Sequence, residues 1–190
     1  NRVSLGAQSF DDAQLAALGR IHSGRETIAA VEELAAAGLE NFNLDLMYAL
    51  PRQTLAGAIA DLEQALALRP AHLSHYQLTL EPGTAFERRP PPLPDEDSAF
   101  AMQAACQARL AEAGFRQYEV SACARNGREC RHNLNYWRFG DYLGIGAGAH
   151  GKITDPASGA VLRTARVRSP ARYQAAAEPS ARVEETRELA

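Results

Sequence analysis

The sequence lacks the excess of positive charge that nucleic-acid-binding proteins usually carry. Its 20 Lys and Arg residues are outnumbered by 23 Asp and Glu residues, and the formal net charge is −3. The basic residues are scattered along the chain rather than clustered, so they form no electrostatic footprint for nucleic acid. We therefore expect no nucleic-acid partner.

Long hydrophobic runs are also missing. No apolar stretch approaches the roughly 20 residues that cross a bilayer, and residues 1–6 lack the charged and apolar regions of a signal peptide. We therefore expect a cytoplasmic protein. Residue 1 is Asn rather than an initiator Met, and an apolar strand follows almost at once, so we also expect the sequence to begin inside a larger domain.

Cysteine is scarce, with only Cys106, Cys123 and Cys130. An odd number argues against a disulfide framework and favours a reducing compartment. Zinc and iron–sulfur sites usually need closely spaced pairs of Cys, so that several thiolates converge on one centre. These three residues are not spaced in that way, and we expect inert thiols and no metal ligands in this chain.

Strands and helices alternate in the first half of the sequence. Each apolar strand is followed by a segment whose apolar residues recur at helical spacing, and residues such as Thr54 are expected to cap these helices. Parallel strands need a long crossover between neighbours, so this alternation predicts βαβ units and a parallel sheet, and hence an α/β fold. The predicted strands cover residues 3–7, 42–47 and 73–80.

A proline-rich stretch from Pro82 to Pro94 cannot join a central strand or a helix. It is predicted to be an extended surface loop and a boundary. After it, Asp95 is expected to cap a helix that Gly114 closes, and residues 117–120 are predicted to form a strand. This strand is either a fourth repeat of the same pattern or the last edge of the sheet.

The last part of the sequence changes character. Residues 152–154 and 161–164 flank a turn-rich link and predict a hairpin. The Ala-rich, charged tail from Ala171 is predicted to be a helix. We divide the chain into residues 1–94 and residues 95–190.

Three polar residues lie at or near the carboxyl ends of predicted strands, namely Gln8, Asp45 and Thr79. Ligands of parallel α/β folds bind at this edge, because loops converge there and crossover helices present their N-termini. Asp45 stands between two leucines, where a carboxylate is costly unless donors or a cation meet it. The alternative is a surface-facing or capping Asp. Arg20 either joins the same site or belongs to a solvated loop.

The stretch from His132 to Gly151 contains the only Trp of the chain, two of its five His residues and five of its 14 Gly residues. If it begins with a helical turn, His132 and Tyr136 share one face, as do Asn133 and Trp137. Such a set can ligate haem iron or stack on a porphyrin ring. The equally weighted alternative is an aromatic anchor that pins the C-terminal subdomain.

The glycines at positions 144, 146 and 148 superficially indicate a loop that cradles a phosphate. A dinucleotide fingerprint, however, lies early in a βαβ unit and opens a helix, whereas this run lies late and no helix is predicted after it. We expect a loop of close approach over the barrel mouth, which fits a large flat ligand at least as well.

Taken in order, five stretches resemble the HemW family, haem chaperones related to the oxygen-independent coproporphyrinogen III oxidases within the radical S-adenosylmethionine (SAM) superfamily. The resemblance implies the C-terminal half of a partial (β/α)6 radical SAM barrel in residues 1–94. It implies a barrel-flanking helix and part of an α+β C-terminal domain in residues 95–190. The matching stretches are residues 4–10, 18–22, 43–51, 74–79 and 132–151.

The resemblance also implies functional residues. The motif at His132, Asn133, Tyr136 and Trp137 is similar to the one associated with haem in the chaperone branch, and it is not typical of the oxidase branch. No catalytic residue is assigned. The positions that match family contacts to SAM are Gln8, Arg20, Asp45 and Thr79.

The sequence departs from the family pattern in two ways. The Cys-x3-Cys-x2-Cys motif that holds the family's [4Fe–4S] cluster is absent, so the cluster ligands are expected outside this sequence. Ala7, Ala49 and Cys123 stand where the family more often has Val, Gly and Tyr. The first two lie near strand ends and are expected to alter the SAM pocket slightly.

The function implied by the resemblance is a haem chaperone that binds haem and delivers it to respiratory haem proteins at the membrane. The alternative is an oxygen-independent coproporphyrinogen III oxidase of porphyrin biosynthesis, which performs a radical SAM oxidative decarboxylation. A half-barrel would also leave the edge of the strand at residues 3–7 unpaired. Exposed apolar edges invite association, so we expect a homodimer or aggregation.

Overall fold

Residues 2–189 are described by a computed structural model. They form two compact units that divide between Glu129 and Cys130. The predicted boundary between residues 94 and 95 lies inside the first unit, because the helix that follows it packs against the sheet and a neighbouring helix of that unit. No helix in the described range is long and apolar enough to cross a membrane.

The strands of the first unit form one mixed sheet. Its parallel part consists of β1 (Val3–Gln8), β2 (Phe42–Tyr48) and β3 (His72–Gln77), which confirms the predicted parallel arrangement. Two short strands, β4 (Arg116–Gln117) and β5 (Ala122–Ala124), extend it. The order over residues 2–129 is β1-β2-β3-β5-β4, and β5 is antiparallel to both of its neighbours.

Residues 117–120 therefore do not form the single strand that was predicted, and the segment is not a fourth βα repeat. β4 and β5 are separated by only a short turn, which can join antiparallel strands but not parallel ones. The segment is the last edge of the sheet, the other of the two predicted alternatives.

Side-chain caps begin the helices of the first unit. In each case the capping oxygen accepts a hydrogen bond from an amide of the first turn, as predicted for Thr54 and Asp95. A short helix interrupts the proline-rich stretch that was predicted to be extended. The helices and their caps are α1 (Asp12–Ala17) after Asp11, α2 (Gly24–Ala36) after Ser23, α3 (Leu55–Ala67) after Thr54, α4 (Ala85–Arg88) after Thr84 and α5 (Glu96–Glu112) after Asp95.

The core lies on the side of the sheet that α3 and α5 cover. Alternate residues of β2 are buried there, and each large apolar side chain of this kind stabilises the fold by about 1.5–3 kcal/mol. Because strand side chains alternate between faces, this burial sends Asn43 and Asp45 to the opposite face. The core residues of β2 are Phe42, Leu44, Leu46 and Tyr48.

Asp61 of α3 fixes the loop that follows β1. Its buried carboxylate accepts hydrogen bonds from the Ser9 hydroxyl at 2.7 Å, the Phe10 amide at 2.7 Å and the Gln53 side-chain amide at 3.3 Å. Burial raises the pKa of Asp61, and the bonds from Phe10 and Ser9 oppose that rise. The carboxyl end of β1, where Gln8 lies, is thereby tied to α3.

The second unit combines a three-stranded antiparallel sheet with short helices. The strands run in the order β6-β7-β8 within the described residues, and β6 and β7 form the predicted hairpin. The elements are α6 (Arg131–Trp137), β6 (His150–Thr154), β7 (Val161–Arg166), α7 (Pro170–Ala175) and β8 (Val183–Leu189).

The prediction of a helix through the tail is wrong beyond Ala175. Pro179 lacks the amide hydrogen that a continuing helix needs. A short 3-10 helix (Ser180–Arg182) follows it, and the next residues form β8, which pairs along β7. The composition of this segment alone favours a helix. It forms a strand because β6 pairs with only one edge of β7 and leaves the other edge open to β8.

β1 lies at one end of its sheet and pairs only with β2 among the described strands. The predicted unpaired edge is therefore confirmed, while association through it stays a prediction. A cavity of about 180 Å³ opens beside this edge, and Leu5, Gly6, His22 and Thr27 contribute to its lining.

Two histidines of β3 are buried on opposite faces of the sheet. His75 stacks on Tyr48 with ring centroids 4.8 Å apart, and burial lowers the pKa of His75 to about 4. Burial, followed by the charge of Arg2, likewise lowers the pKa of His72 to about 4. Both imidazoles are therefore neutral in the folded chain near pH 7.

We predict that acid weakens the fold through His75. An unfolded His has a pKa near 6.5, so the unfolded chain binds a proton before the folded chain does, and stability is lost as pH falls from about 6.5 towards 4. The substitution His75→Phe keeps an aromatic ring against Tyr48 and removes the titration. Urea unfolding at pH 7 and pH 5 should show that the variant loses about 1–2 kcal/mol less stability than the wild type. Equal losses in the two proteins would contradict this account.

Candidate functional site

The face of the sheet opposite the core carries a chain of polar side chains. Asn43 lies at its centre, with its oxygen 2.6 Å from Nδ1 of His72 and its amide nitrogen donating to Ser4 at 2.7 Å and to Asp45 at 2.8 Å. Nε2 of His72 lies 2.7 Å from the hydroxyl of Tyr118. This network fixes the carboxylate of Asp45 on an open polar face rather than in the core.

Asp45 lies in the middle of β2 and not at its carboxyl end, which is a correction to the predicted position. Its side chain is half-buried and shares this face with Tyr76 of β3, because Asp45 and Met47 pair with Ser74 and Tyr76 in register. The predicted alternative of a capping Asp is excluded, since Asp45 is flanked by strand on both sides.

Tyr76 connects three of the residues that were predicted to form one site. Its hydroxyl donates to the side-chain oxygen of Gln8 at 2.9 Å. Burial raises the pKa of Tyr76, the charge of Asp45 raises it further, and the charge of Arg20 lowers it. The hydrogen bond places Tyr76 against Gln8, and a single site that also includes Arg20 and Asp45 stays a prediction.

Sequence reasoning missed Tyr76, and its assignment of Thr79 to the same site stays a prediction. Thr79 lies beyond the end of β3, is exposed and donates to Glu81 at 2.8 Å. A signal for Tyr76 was available, because it stands two residues after Ser74 and therefore on the same face of a strand.

The end of β1 and the turn after β2 use backbone conformations that most residues avoid. Gln8 has φ of +65° and Ala49 has φ of +56°, both in the left-handed region. At Ala49 this conformation is easiest for Gly, which is the residue that the resemblance led us to expect at this position. The chain here accepts a strained Ala directly after β2.

The polar groups around Tyr76 fit the chemistry of SAM. That molecule carries a carboxylate, an amino group and ribose hydroxyls, which match a guanidinium, a carboxylate and a side-chain amide. The Cys residues of this chain, by contrast, do not fit the [4Fe–4S] cluster that the resemblance implies. Burial raises the thiol pKa values of Cys106 and Cys123 to about 11, whereas metals bind thiolates. No group of three or more His, Cys, Asp or Glu side chains that could hold a metal occurs among the described residues.

The aromatic motif of the second unit lies on a helix that buries none of its residues. His132 and Tyr136 share one face, as predicted, with ring centroids 4.8 Å apart, and Tyr136 contacts Tyr142 at 4.6 Å. Tyr136 and Trp137 are 45% and 61% exposed. Both rings are therefore exposed in the described part of the chain, and the choice between a ligand-binding surface and a structural anchor stays open.

A buried ammonium group holds the loop that follows α6. Lys152 is only 2% exposed, and it donates to the carbonyl of Phe139 at 2.6 Å and to the carboxylate of Asp141 at 2.9 Å. The amide and hydroxyl of Thr154 donate to the same carboxylate, each at 2.8 Å. The bond from the Thr154 amide is the main reason that the pKa of Asp141 falls to about 2, and Lys152 adds to the effect.

Sequence reasoning did not identify this pair, although a signal existed. Lys152 is the only Lys among the 20 basic residues of the chain. An ammonium stem suits a narrow buried position better than a guanidinium, because it is compact and its donors rotate. The lone Lys at the start of a predicted strand was therefore informative.

The structure confirms a close approach at Gly144, while the predicted position of the glycine run over the barrel mouth stays a prediction. A side chain at Gly144 would place its Cβ 2.3 Å from the carbonyl oxygen of His150, so no other residue fits there without movement. β6 follows the run, and no helix begins there. The arrangement does not match a phosphate-binding turn.

Comparison with solved structures defines the class of the fold. The chain matches a coproporphyrinogen III oxidase (HemN) of Escherichia coli, described as a radical SAM enzyme, with a TM-score of 0.81 at 20% identity, covering 100% of the chain and 46% of that protein. An archaeal Elp3 from Methanocaldococcus infernus matches with a TM-score of 0.52. The α/β fold is therefore that of a radical SAM barrel segment with its following domain.

Sequence relatives narrow the class to a family. The chain is 53% identical over 170 residues to the heme chaperone HemW of Escherichia coli and 52% identical over 172 residues to that of Haemophilus influenzae. It is also 42% identical over 173 residues to a mitochondrial radical S-adenosyl methionine domain-containing protein of Mus musculus. No protein-family model matches.

The chain belongs to the HemW family of the radical SAM superfamily, as the resemblance implied. Each of the two bacterial matches covers 90% of the chain, and the chain spans 45% of the length of each of those relatives.

We predict that Asp141 keeps Lys152 out of reach of reagents. Because the chain has no other Lys, an amine-reactive ester can label only Lys152 and the terminal amine. Asp141→Ala should release the loop and speed labelling of Lys152 by roughly tenfold or more, through more frequent local opening. Peptide mass spectrometry measures the rate, and Asp155→Ala in the neighbouring turn is the control. If Asp141→Ala and the wild type label at the same rate, the pair does not hold the loop.

Proposed function

We propose that this chain is the haem-binding part of a haem chaperone, and that α6 is the place where haem binds. One observation carries the proposal. The motif formed by His132, Asn133, Tyr136 and Trp137 presents an imidazole and two large aromatic rings on an exposed helix. The two relatives that are 53% and 52% identical to this chain are described as heme chaperones.

The exposed side chains give each part of a haem a partner. The imidazole of His132 is a ligand for the iron of the cargo, and the faces of Tyr136 and Trp137 stack on the porphyrin. Asn133 lies on the first turn of the same helix and completes the motif. Because the ring contacts lie at the surface, the bound haem stays accessible to a protein that receives it.

The first unit holds SAM in the same proposal. Arg20 pairs with the carboxylate of SAM, while Asp45 and Gln8 accept or donate hydrogen bonds to its hydroxyl and amino groups. Thr79 contributes from the loop after β3. In this superfamily SAM bound next to a [4Fe–4S] cluster supplies radical chemistry, and the cluster ligands come from outside this sequence. Here SAM and cluster serve regulation or release of haem.

The recipients in this proposal are respiratory haem proteins at the membrane, which a cytoplasmic chaperone reaches by diffusion. The exposed face of α6 is the surface that such a recipient meets. The unpaired edge of β1 favours a homodimer, because an open strand edge pairs with another strand.

The oxidase alternative rests on a specific observation, the likeness to the coproporphyrinogen III oxidase fold. That likeness is at 20% identity and concerns the fold, whereas the relatives of high identity carry the chaperone description. Anaerobic incubation of a longer protein that supplies the cluster ligands, with coproporphyrinogen, SAM and a reconstituted cluster, distinguishes the two. Formation of the decarboxylated product would establish the oxidase.

We predict that His132→Ala weakens haem binding by roughly tenfold, because loss of one iron ligand removes more than 1 kcal/mol of binding free energy. Titration followed in the Soret band measures the affinity and also reports the change of ligation. His22→Ala in the first unit is the matched control and should behave as the wild type. Unchanged affinity and an unchanged Soret spectrum for His132→Ala would show that this imidazole has only a structural role.

A further inference from the structure

A cavity of about 400 Å³ lies on one face of the sheet of the second unit. Polar and basic side chains line it, and they belong neither to the proposed SAM site nor to the motif on α6. The lining includes Tyr142, His150, Thr164, Arg163, Glu185 and Arg187.

Strand register places the basic residues of this cavity on one face. Lys152, Arg163 and Arg187 lie directly opposite one another on β6, β7 and β8. Directly opposed residues of an antiparallel sheet point to the same side. Three cations on neighbouring strands repel one another unless anions meet them, so the arrangement requires negative partners.

The structure supplies some of those partners but not all. Lys152 is neutralised by Asp141, and Arg187 forms an ion pair with Glu185, which also lines the cavity. No carboxylate in the described part of the chain pairs with Arg163. Its guanidinium lies 5.8 Å from the ring centroid of Phe139. The cavity thus retains one guanidinium without an anion.

Tyr142 joins this cavity to the motif on α6. Its ring lies 4.6 Å from that of Tyr136, which in turn lies 4.8 Å from that of His132, and Tyr142 also lines the cavity. A continuous row of rings therefore leads from the proposed iron ligand to the basic pocket. A ligand that spans this row needs a flat apolar body and a negatively charged end.

We propose that this cavity binds the propionate carboxylates of haem, with Arg163 as the principal partner and Arg187 as the second. The proposal rests on the haem site proposed on α6 and deepens it. Guanidinium groups bind carboxylates through two parallel hydrogen bonds, and Arg163 is free of any carboxylate partner among the described residues. The cavity thereby orients haem on α6, and it distinguishes haem from porphyrins whose carboxylates are blocked.

The test compares haem with its dimethyl ester, which keeps the iron and the ring but lacks both charges. We expect the wild type to bind haem roughly tenfold or more tightly than the ester, which is typical of a charged hydrogen bond. Arg163→Gln should weaken haem binding by a similar factor and leave ester binding unchanged. Arg163→Lys, which retains the charge, should recover part of the loss.

Arg172→Gln is the matched control, because Arg172 is an exposed arginine of α7 outside the cavity. Circular dichroism melting of each variant verifies that it folds. If the wild type binds both forms equally, or if Arg163→Gln weakens both equally, the propionate assignment is overturned while haem binding on α6 stands. If neither form binds the wild type, the haem-chaperone proposal fails and this inference fails with it.

Discussion

The two faces of β2 determine what the first unit can bind. Burial of its apolar side chains beneath α3 and α5 fixes the strand, and alternation then commits Asn43 and Asp45 to the other face. A carboxylate in the middle of a strand is tolerated there because Asn43 and Ser4 donate to it. The polar site is therefore a consequence of core packing and not an addition to it.

A different constraint organises the second unit. The only Lys of the chain is buried, and its ammonium fixes the loop between α6 and β6 through Phe139 and Asp141. With the loop held in this way, α6 needs no burial of its own, and its aromatic rings remain at the surface. Exposed rings are costly in water, and covering them with a flat ligand recovers that free energy. The exposure of these rings is the basis of the haem site that we propose on α6.

Much of the fold could be predicted from the sequence, because the local signals in the sequence agree with one another. The caps at Thr54 and Asp95, the parallel strands and the hairpin after Gly151 follow from propensity and spacing. Gln8 contacts Tyr76 as a neighbour on the sheet, while a single site that also includes Arg20 and Asp45 stays a prediction. What could not be predicted depends on partners distant in sequence.

Tertiary pairing decides the parts that sequence reasoning missed. β8 is a strand because β7 offers it an edge, although its composition favours a helix. Asp45 was placed near a strand end, but it is the central residue of β2, which begins at Phe42 as predicted and ends at Tyr48. Spacing could single out Tyr76 and Lys152 as unusual, but their contacts with Gln8 and Asp141 join residues far apart in the sequence and could not be predicted from it.

Hydrogen exchange with and without haem tests the central claim most directly, because it locates the ligand without a substitution. Bound haem should slow amide exchange in α6 and in the following loop through Asp141, together with β6 and β7 around the basic cavity. The amides of β1, β2 and β3 should be unaffected. Protection confined to these three strands, where the polar face carries Asp45 and Tyr76, would place the porphyrin in the barrel and contradict binding on α6.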